Sequence, residues 1–236
     1  MNYPIPNNES KRLEAIRRYN LLDTNPEQPF DDFILIASQI CDTPIALITL
    51  VDANRQWFKA RRGLAIPETP REQAFCAHTI MGNETMVVED ALNDKRFFQN
   101  PLVTGEPKIR FYAGAPLVDR DGFGLGSLCV IDQKARQLTK EQQLSLEALS
   151  RLVVNQIECR RSSAELAEAL GEIKVLQDIL PICSHCKKIR DDEGFWQSVE
   201  KYITTHSTST FSHGICPACL KTHYADLFPP LAREQK

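Results

Sequence analysis

IRFYAGAPLVDRDGFGLGSLCVID, residues 109–132, holds two apolar runs, Phe111–Val118 and Leu125–Ile131, on either side of Asp119-Arg120-Asp121-Gly122. Asp and Gly accept tight-turn backbone, while β-branched, aromatic and small apolar residues suit a pleated, buried ribbon. The stretch therefore predicts two antiparallel strands joined by a short turn. The same grammar appears earlier. Ile45–Val51 is almost continuously apolar, Asp52-Ala53-Asn54-Arg55 reads as a turn, and Gln56–Ala60 returns. Thr85–Glu89 adds a short strand. Antiparallel strands with tight turns, flanked by helical segments, indicate an α+β domain built on one sheet.

Outward from the strands the period changes. Residues 9–22 read as an amphipathic helix, with Leu13, Ile16, Leu21 and Leu22 apolar among Lys11, Arg12, Arg17 and Arg18, and Asn25-Pro26 breaks the chain. A second helical run, Asp31–Cys41, presents Phe33, Ile34, Ile36, Ala37 and Ile40 before Asp42-Thr43-Pro44 ends it. Thr139 with Gln142 three residues later marks the start of a long helix. Alternate steps of three and four give Leu149, Leu152, Gln156, Cys159, Ser163, Leu166, Leu170, Ile173, Gln177 and Leu180. Aliphatic residues at six of these ten positions predict a two-stranded coiled coil and a homodimer. A lone amphipathic helix lying on the domain is the alternative, since Gly171 and the Gln and Ser positions weaken the seam. Pro181 stops the helix.

Half of the eight cysteines and four of the five histidines (His185, His206, His213, His223) follow that proline. Cys183-x-x-Cys186 and Cys216-x-x-Cys219 are two thiol pairs of the kind that close a tetrahedron around a structural Zn²⁺. Disulfides, a redox dithiol and chance spacing are the competing readings. Met1–Asn8 is polar with two prolines and does not read as a secretory signal, so a reducing cytoplasm is expected. No βαβ pattern surrounds Cys183, which disfavours a thioredoxin-like dithiol. His185 or His213 replacing one sulfur stays open. A net charge of −3 provides no basic field for nucleic acid, and no apolar run approaches the ~20 residues that span a bilayer.

From about Leu21 to Glu158 the chain resembles a GAF domain of the bacterial signalling kind. LITLVDANRQWFKARRGL (47–64), REQAFCAHTI (71–80), VVEDALNDKRFFQNPLV (87–103) and residues 109–132 carry the resemblance, in the family's order. It implies a central antiparallel sheet with helices on one face, a small-molecule pocket on the other, and terminal helices able to form a dimer bundle. ILPICSHCKKIRDDEGFWQSVEKYI (179–203) with FSHGICPACL (211–220) resembles a short module that follows GAF, PAS or receiver domains in bacterial regulators.

Candidate contacts to a GAF ligand are Arg71, Cys76, His78, Arg110 and Tyr112. A guanidinium near a strand start can pair with a carboxylate or phosphate. An exposed structural arginine is the equal alternative. Cys76 and His78 could form a reactive ion pair, but their i, i+2 spacing does not place them on one helical face, so a packed, inert thiol is expected. GAF-fold bilin receptors attach chromophore through a cysteine often followed directly by histidine, and here Ala77 intervenes. Cys41, Cys76 and Cys129 do not reproduce the spacing of the GAF-fold methionine sulfoxide reductase. Asp90, Asp94 and Arg96 read as turn and cap residues. In the tail, Lys187, Lys188 and Arg190 are offset by Asp191, Asp192 and Glu193, and Phe195 and Trp196 are expected to cover the thiol site.

The expected organisation is residues 1–158 as a GAF domain with an N-terminal helix, 159–180 as a coiled-coil extension, and 181–236 as a zinc-binding module. No kinase, cyclase or phosphodiesterase signature follows the GAF segment. The expectation is therefore a non-enzymatic cytoplasmic sensor with a protein partner in a signalling pathway and an unnamed ligand. A thiol-dependent redox sensor or GAF-fold redox enzyme is the alternative.

Overall fold

The computed structural model describes residues 3–177, 180–191 and 193–224, and side chains within 171–177 are not among those described. The chain divides into two units, Met1–Glu165 and Leu166–Lys236.

In the first unit, α1 (Glu9–Arg18) and α2 (Gln28–Cys41) precede β1 (Ile45–Val51), β2 (Arg55–Arg62) and β3 (Glu68–Pro70). A 3₁₀ turn at Arg71–Gln73 leads to α3 (Cys76–Thr79), β4 (Met86–Val88) and α4 (Pro101–Thr104). β5 (Phe111–Val118), β6 (Gly124–Asp132) and the long α5 (Lys140–Gln177) follow. The six strands form one antiparallel sheet in the order β3-β2-β1-β6-β5-β4. β1 and β6 are its centre, which explains their continuous apolar character: both faces of these strands are covered.

Alternation sorts their side chains into two cores. Ala46, Ile48, Leu50, Phe111, Ala113, Ala115, Leu117, Leu128 and Val130 face α1, α2 and the first turns of α5. Ile45, Leu47, Val51, Tyr112, Cys129 and Ile131 face the opposite way, where Phe75, Cys76, Ala77, Phe97 and Val103 pack on them.

The helices differ in detail from the expectation. α1 stops at Arg18 rather than running to residue 22, because Asn20 and Asp23 take left-handed backbone (φ 45° and 60°) and turn Leu21 into the core. α2 starts earlier, with Pro29 in its first turn where a missing N–H costs nothing. Its buried stripe is Phe30, Ile34, Ala37 and Cys41, and Ile36 and Ile40 point outward. β3 has no pattern of its own in the sequence. It is a three-residue edge strand that exists only through pairing with β2.

The start of α5 is closed as the sequence predicts. Gln142 N donates to Thr139 Oγ1 at 3.2 Å, and Thr139 N donates to Gln142 Oε1 at 3.0 Å. The expected seam divides in two. Leu149 joins Leu146, Val153 and Ile157 in the domain core, whereas Leu152, Cys159, Leu166 and Leu170 are exposed. The seam side chains Ile173 and Gln177 lie outside the described residues.

In the second unit, β7 (Ile189–Arg190) and β8 (Trp196–Gln197) form a two-stranded ribbon, followed by α6 (Val199–His206) and α7 (Pro217–His223). Ser198 caps α6 by accepting from Lys201 N, and Cys216 caps α7 by accepting from Cys219 N. The rest of the expected module, 225–236, and Asp192 lie outside the described residues. Among those described, no helix is long and apolar enough to cross a membrane.

The tightest approach in the sheet is Gly126 against β1, where it pairs with Leu50. A Cβ there would sit 1.8 Å from Thr49 O and 2.9 Å from Leu50 Cα, both backbone atoms that cannot yield without opening the central strand pair. Gly126→Ala should therefore lower stability by about 3 kcal/mol, the upper end of overpacking penalties. Urea unfolding followed by far-UV circular dichroism measures it, and an unchanged midpoint would show that the pairing is looser than described.

Candidate functional site

The second face of the sheet, where a small-molecule pocket is expected, is largely filled by the protein itself. Phe75 stacks on Phe97 with ring centroids 3.9 Å apart, and Phe75 lies 5.1 Å from Tyr112. Beside these rings lies a cavity of about 30 Å³ whose lining includes Gln56, Phe58, Thr69, Phe75, Cys76 and Tyr112, and a more open hollow of about 520 Å³ is lined by residues that include His78, Thr79, Met86 and Arg96. The smaller cavity admits a molecule of about water's size or slightly more. Gln56 Oε1 and Thr69 Oγ1 are buried on its wall without a hydrogen-bond partner among the described residues.

Beside the cavity, α3 and the sheet bring a set of polar groups together inside the core. The Ser127 hydroxyl donates to Cys76 Sγ at 3.0 Å and the Tyr112 hydroxyl donates to it at 3.3 Å. Thr79 Oγ1 is 2.7 Å from the Tyr112 oxygen, so with the Tyr112 proton aimed at sulfur, Thr79 is the donor of that pair. Cys129 Sγ stands 3.9 Å from Cys76 Sγ. Burial alone would push the Cys76 thiol up, but hydrogen bonding with Cys129, Ser127, Thr49 and Tyr112 outweighs it and brings it down. Burial pushes both Cys129 and Tyr112 up, and proximity to Cys76 adds to each shift. Of the two sulfurs, Cys76 is the one whose thiolate form the surrounding hydroxyls favour.

The other predicted contacts go elsewhere. Arg71 is buried and its Nη1 pairs with the Glu9 carboxylate and donates to Asp52 O at 3.0 Å, with the Tyr3 ring 5.3 Å from its Cζ. Glu9 is shared with Arg12, and Arg71 Nε and Nη2 are buried without a hydrogen-bond partner among the described residues, so the pairing clasps α1 to the β1–β2 turn and offsets only part of the charge. Arg110 Nη1 donates to Val103 O at 2.9 Å and to Ile109 O at 3.0 Å, which ties the α4 loop to β5. His78 turns away from Cys76. Its ring meets Phe97 edge-on at 4.8 Å, and burial followed by the nearby Arg96 charge holds its pKa down. Of the five residues, only Cys76 and Tyr112 meet. Ser127, Thr79 and Cys129 are the partners that reading the sequence missed. The alternation along β6 puts Cys129 on the face of Tyr112, but only the β5–β6 register brings Tyr112 to Ile131 and Gly114 to Cys129.

In the tail, each thiol pair forms a tight knuckle. Cys186 N donates to Cys183 Sγ at 3.5 Å and Cys219 N to Cys216 Sγ at 3.4 Å. Lys187 takes left-handed backbone, φ 60°, to close the first. The backbone N–H groups of Cys186 and His185 pull the Cys183 thiol down, and that of Cys219 does the same for Cys216. All eight cysteines are free thiols. The donor chemistry of each pair fits half of a thiolate metal site. Among the described residues no group of three or more His, Cys, Asp and Glu converges to hold an ion. Phe195 and Trp196 do not cover the thiols: they are 67% and 48% exposed.

The family model described as GAF domain matches residues 25–157. A Pseudomonas aeruginosa protein named a cyclic di-GMP phosphodiesterase is 43% identical over 169 residues, which is 71% of this chain and 29% of that protein. This chain therefore spans under a third of that relative's length. Among solved structures, the GAF domain of an Acinetobacter phosphoenolpyruvate-protein phosphotransferase aligns over 67% of this chain and 97% of its own, with 16% identity and a TM-score of 0.49. A free methionine-R-sulfoxide reductase of Neisseria meningitidis aligns over 69% and 98%, with 15% identity and a TM-score of 0.49.

The Arg71 clasp is testable by pH. Burial would raise the Glu9 carboxyl, but hydrogen bonds from Arg12 and Arg71 outweigh it and hold the group at about 2, below its ordinary 4.5. A depressed folded pKa contributes stability above the unfolded value, and that stability is lost as pH falls through the folded one. Glu9→Gln should cost about 2 kcal/mol at neutral pH, allowing for the carboxylate's partial exposure. The gap to the unmodified chain should close between pH 4.5 and 2. Denaturant titrations across that range measure it, and a pH-independent gap would show that the ion cluster adds nothing through charge.

Proposed function

The chain belongs to the GAF domain family, and from that premise we propose that it is a sensor whose N-terminal unit receives a chemical signal and passes it along α5 to a zinc-binding interaction module. A relative named for cyclic di-GMP hydrolysis supports a place in signalling. The protein itself is read as non-enzymatic, acting in a reducing cytoplasm through contact with a protein partner.

The observation that carries the output half is the pair of thiol knuckles. In each, an amide N–H already points at the first sulfur, the arrangement that favours a thiolate ready for a soft cation. Cys183, Cys186, Cys216 and Cys219 would hold one Zn²⁺, with a purely structural role. A small unit with exposed Ile182, Phe195, Trp196, Phe211 and Ile215 lacks the apolar core to stand alone, and metal binding supplies folding free energy. The transmitter half rests on α5, where Leu166 and Leu170 are 60% and 54% exposed at seam spacing. A second copy of the helix is the occupant that the heptad pattern specifies.

Elemental analysis of chelator-free protein should give about one zinc per chain, the stoichiometry of a single four-thiolate site. Cys183→Ser should lose the metal and render the tail protease-sensitive while residues 3–165 keep their unfolding transition. A metal-free chain with a protease-resistant tail would end the zinc assignment.

The unmodified chain should scatter light as a dimer. Leu166→Asp combined with Leu170→Asp should give monomers, since like charges at a seam repel and forfeit apolar contact. Monomers at high concentration in the unmodified chain would remove the basis for the transmitter.

A further inference from the structure

Two cysteines on different elements, Cys76 on α3 and Cys129 on β6, lie with their sulfurs 3.9 Å apart in the interior of the domain. Cys76 is among the expected ligand contacts, but neither the ligand-sensing nor the zinc-binding reading uses the two cysteines as a pair. Three further observations converge there. Cys76 Sγ accepts from two hydroxyls, Ser127 and Tyr112, an arrangement that stabilises negative charge on sulfur. Cys76 is among the residues that line the cavity of about 30 Å³, which leaves room for a molecule of about water's size beside it. Gln56 and Thr69 also line the cavity, and their buried Oε1 and Oγ1 have no hydrogen-bond partner among the described residues, which suits an occupant with two O–H donors.

We propose that Cys76 and Cys129 form a peroxide-sensitive dithiol, which closes to an intramolecular disulfide when hydrogen peroxide enters the cavity.

In the first step the Cys76 sulfur attacks one peroxide oxygen and the O–O bond breaks. The departing hydroxide takes the proton given up by the Cys76 thiol and leaves as water. Cys76 is then a sulfenic acid, oxidised by two electrons, and the peroxide is reduced by two. In the second step the Cys129 sulfur attacks Cys76 Sγ, the S–O bond breaks, and the hydroxyl leaves with the Cys129 proton as a second water. Two thiols and one peroxide thus become one disulfide and two waters. Bond formation requires the sulfurs to close from 3.9 Å to about 2.05 Å, a movement within reach of side-chain rotation and a small shift of the four-residue α3. Cys76 is the attacking thiol and Cys129 the resolving one, because the hydroxyls face Cys76. Cys41 supplies an internal contrast: it is buried on the other side of the sheet, and burial without a polar partner pushes its thiol up to about 11. The linkage would pull α3 onto β6, whose end leads through residues 133–139 into α5. Oxidation therefore bears on the same helix that the sensor reading uses, without depending on a ligand or on the tail metal.

The test uses the full chain treated with a few equivalents of hydrogen peroxide, quenched with catalase, unfolded and alkylated, then mapped by non-reducing peptide mass spectrometry. The expected result is a peptide pair joined through Cys76 and Cys129 and reversed by thiol reductant, with Cys41 alkylated. Ser127→Ala should slow the linkage about tenfold, the effect of losing one hydrogen bond to a charged sulfur. Cys129→Ala should leave Cys76 carrying one or two added oxygens. If that variant fails to fold, the map of the unmodified chain still decides. Recovery of Cys76 and Cys129 as alkylated thiols, under conditions that oxidise Cys159 or the tail thiols, would overturn the proposal, as would a disulfide linking Cys76 to any other cysteine.

Discussion

The pairing of β1 with β6 is the constraint from which the rest of the first unit follows. These two strands are buried on both faces, and they meet closely enough at Gly126 that no side chain fits between that residue and Thr49 O. Their antiparallel register decides which residue of every alternating pair goes to each side. Once Leu128 and Val130 are committed to the helical face, Cys129 and Ile131 must face α3. A slip of one residue would put Cys129 among the helices and leave Tyr112 without Ser127. The polar cluster around Cys76 is thus a consequence of sheet register as much as of the residues that compose it.

That cluster occupies space that a ligand would otherwise take. Phe75, Phe97 and Tyr112 fill much of the second face, and the cavity beside Cys76 measures about 30 Å³. The trade is a pocket for an ordered interior in which one thiol is surrounded by hydroxyl donors at 3.0 and 3.3 Å. Buried polar groups are costly unless satisfied, and here they satisfy one another in a chain running from Thr79 through Tyr112 to Cys76. The arginines that look like ligand hooks in the sequence are engaged within the domain, Arg71 by the Glu9 carboxylate that it shares with Arg12 and Arg110 by hydrogen bonds to backbone carbonyls.

The tail follows a different logic. Its elements are short, its aromatic residues are exposed, and its two knuckles are each made by local backbone geometry. Local geometry can aim two sulfurs of one pair. It does not bring two pairs to one point, and among the described residues no three such donors converge.

The sequence by itself determined the features that depend on near neighbours. The Phe111–Val118 strand, the Asp119–Gly122 turn, the Thr139–Gln142 cap and the thiol knuckles are all where residue types and spacing place them, because turns, caps and alternation act over a few residues. The family, too, was legible, since its motifs lie in order along the chain and the GAF model matches residues 25–157. Only the tertiary structure decided that α1 ends at Arg18, that Leu149 belongs to the core rather than the seam, that β3 exists, and that Arg71 is already paired. It alone brought Cys76 to Cys129 across a separation of more than fifty residues. Such outcomes depend on register and packing between distant segments, and the sequence pattern carries no record of which distant segments will meet.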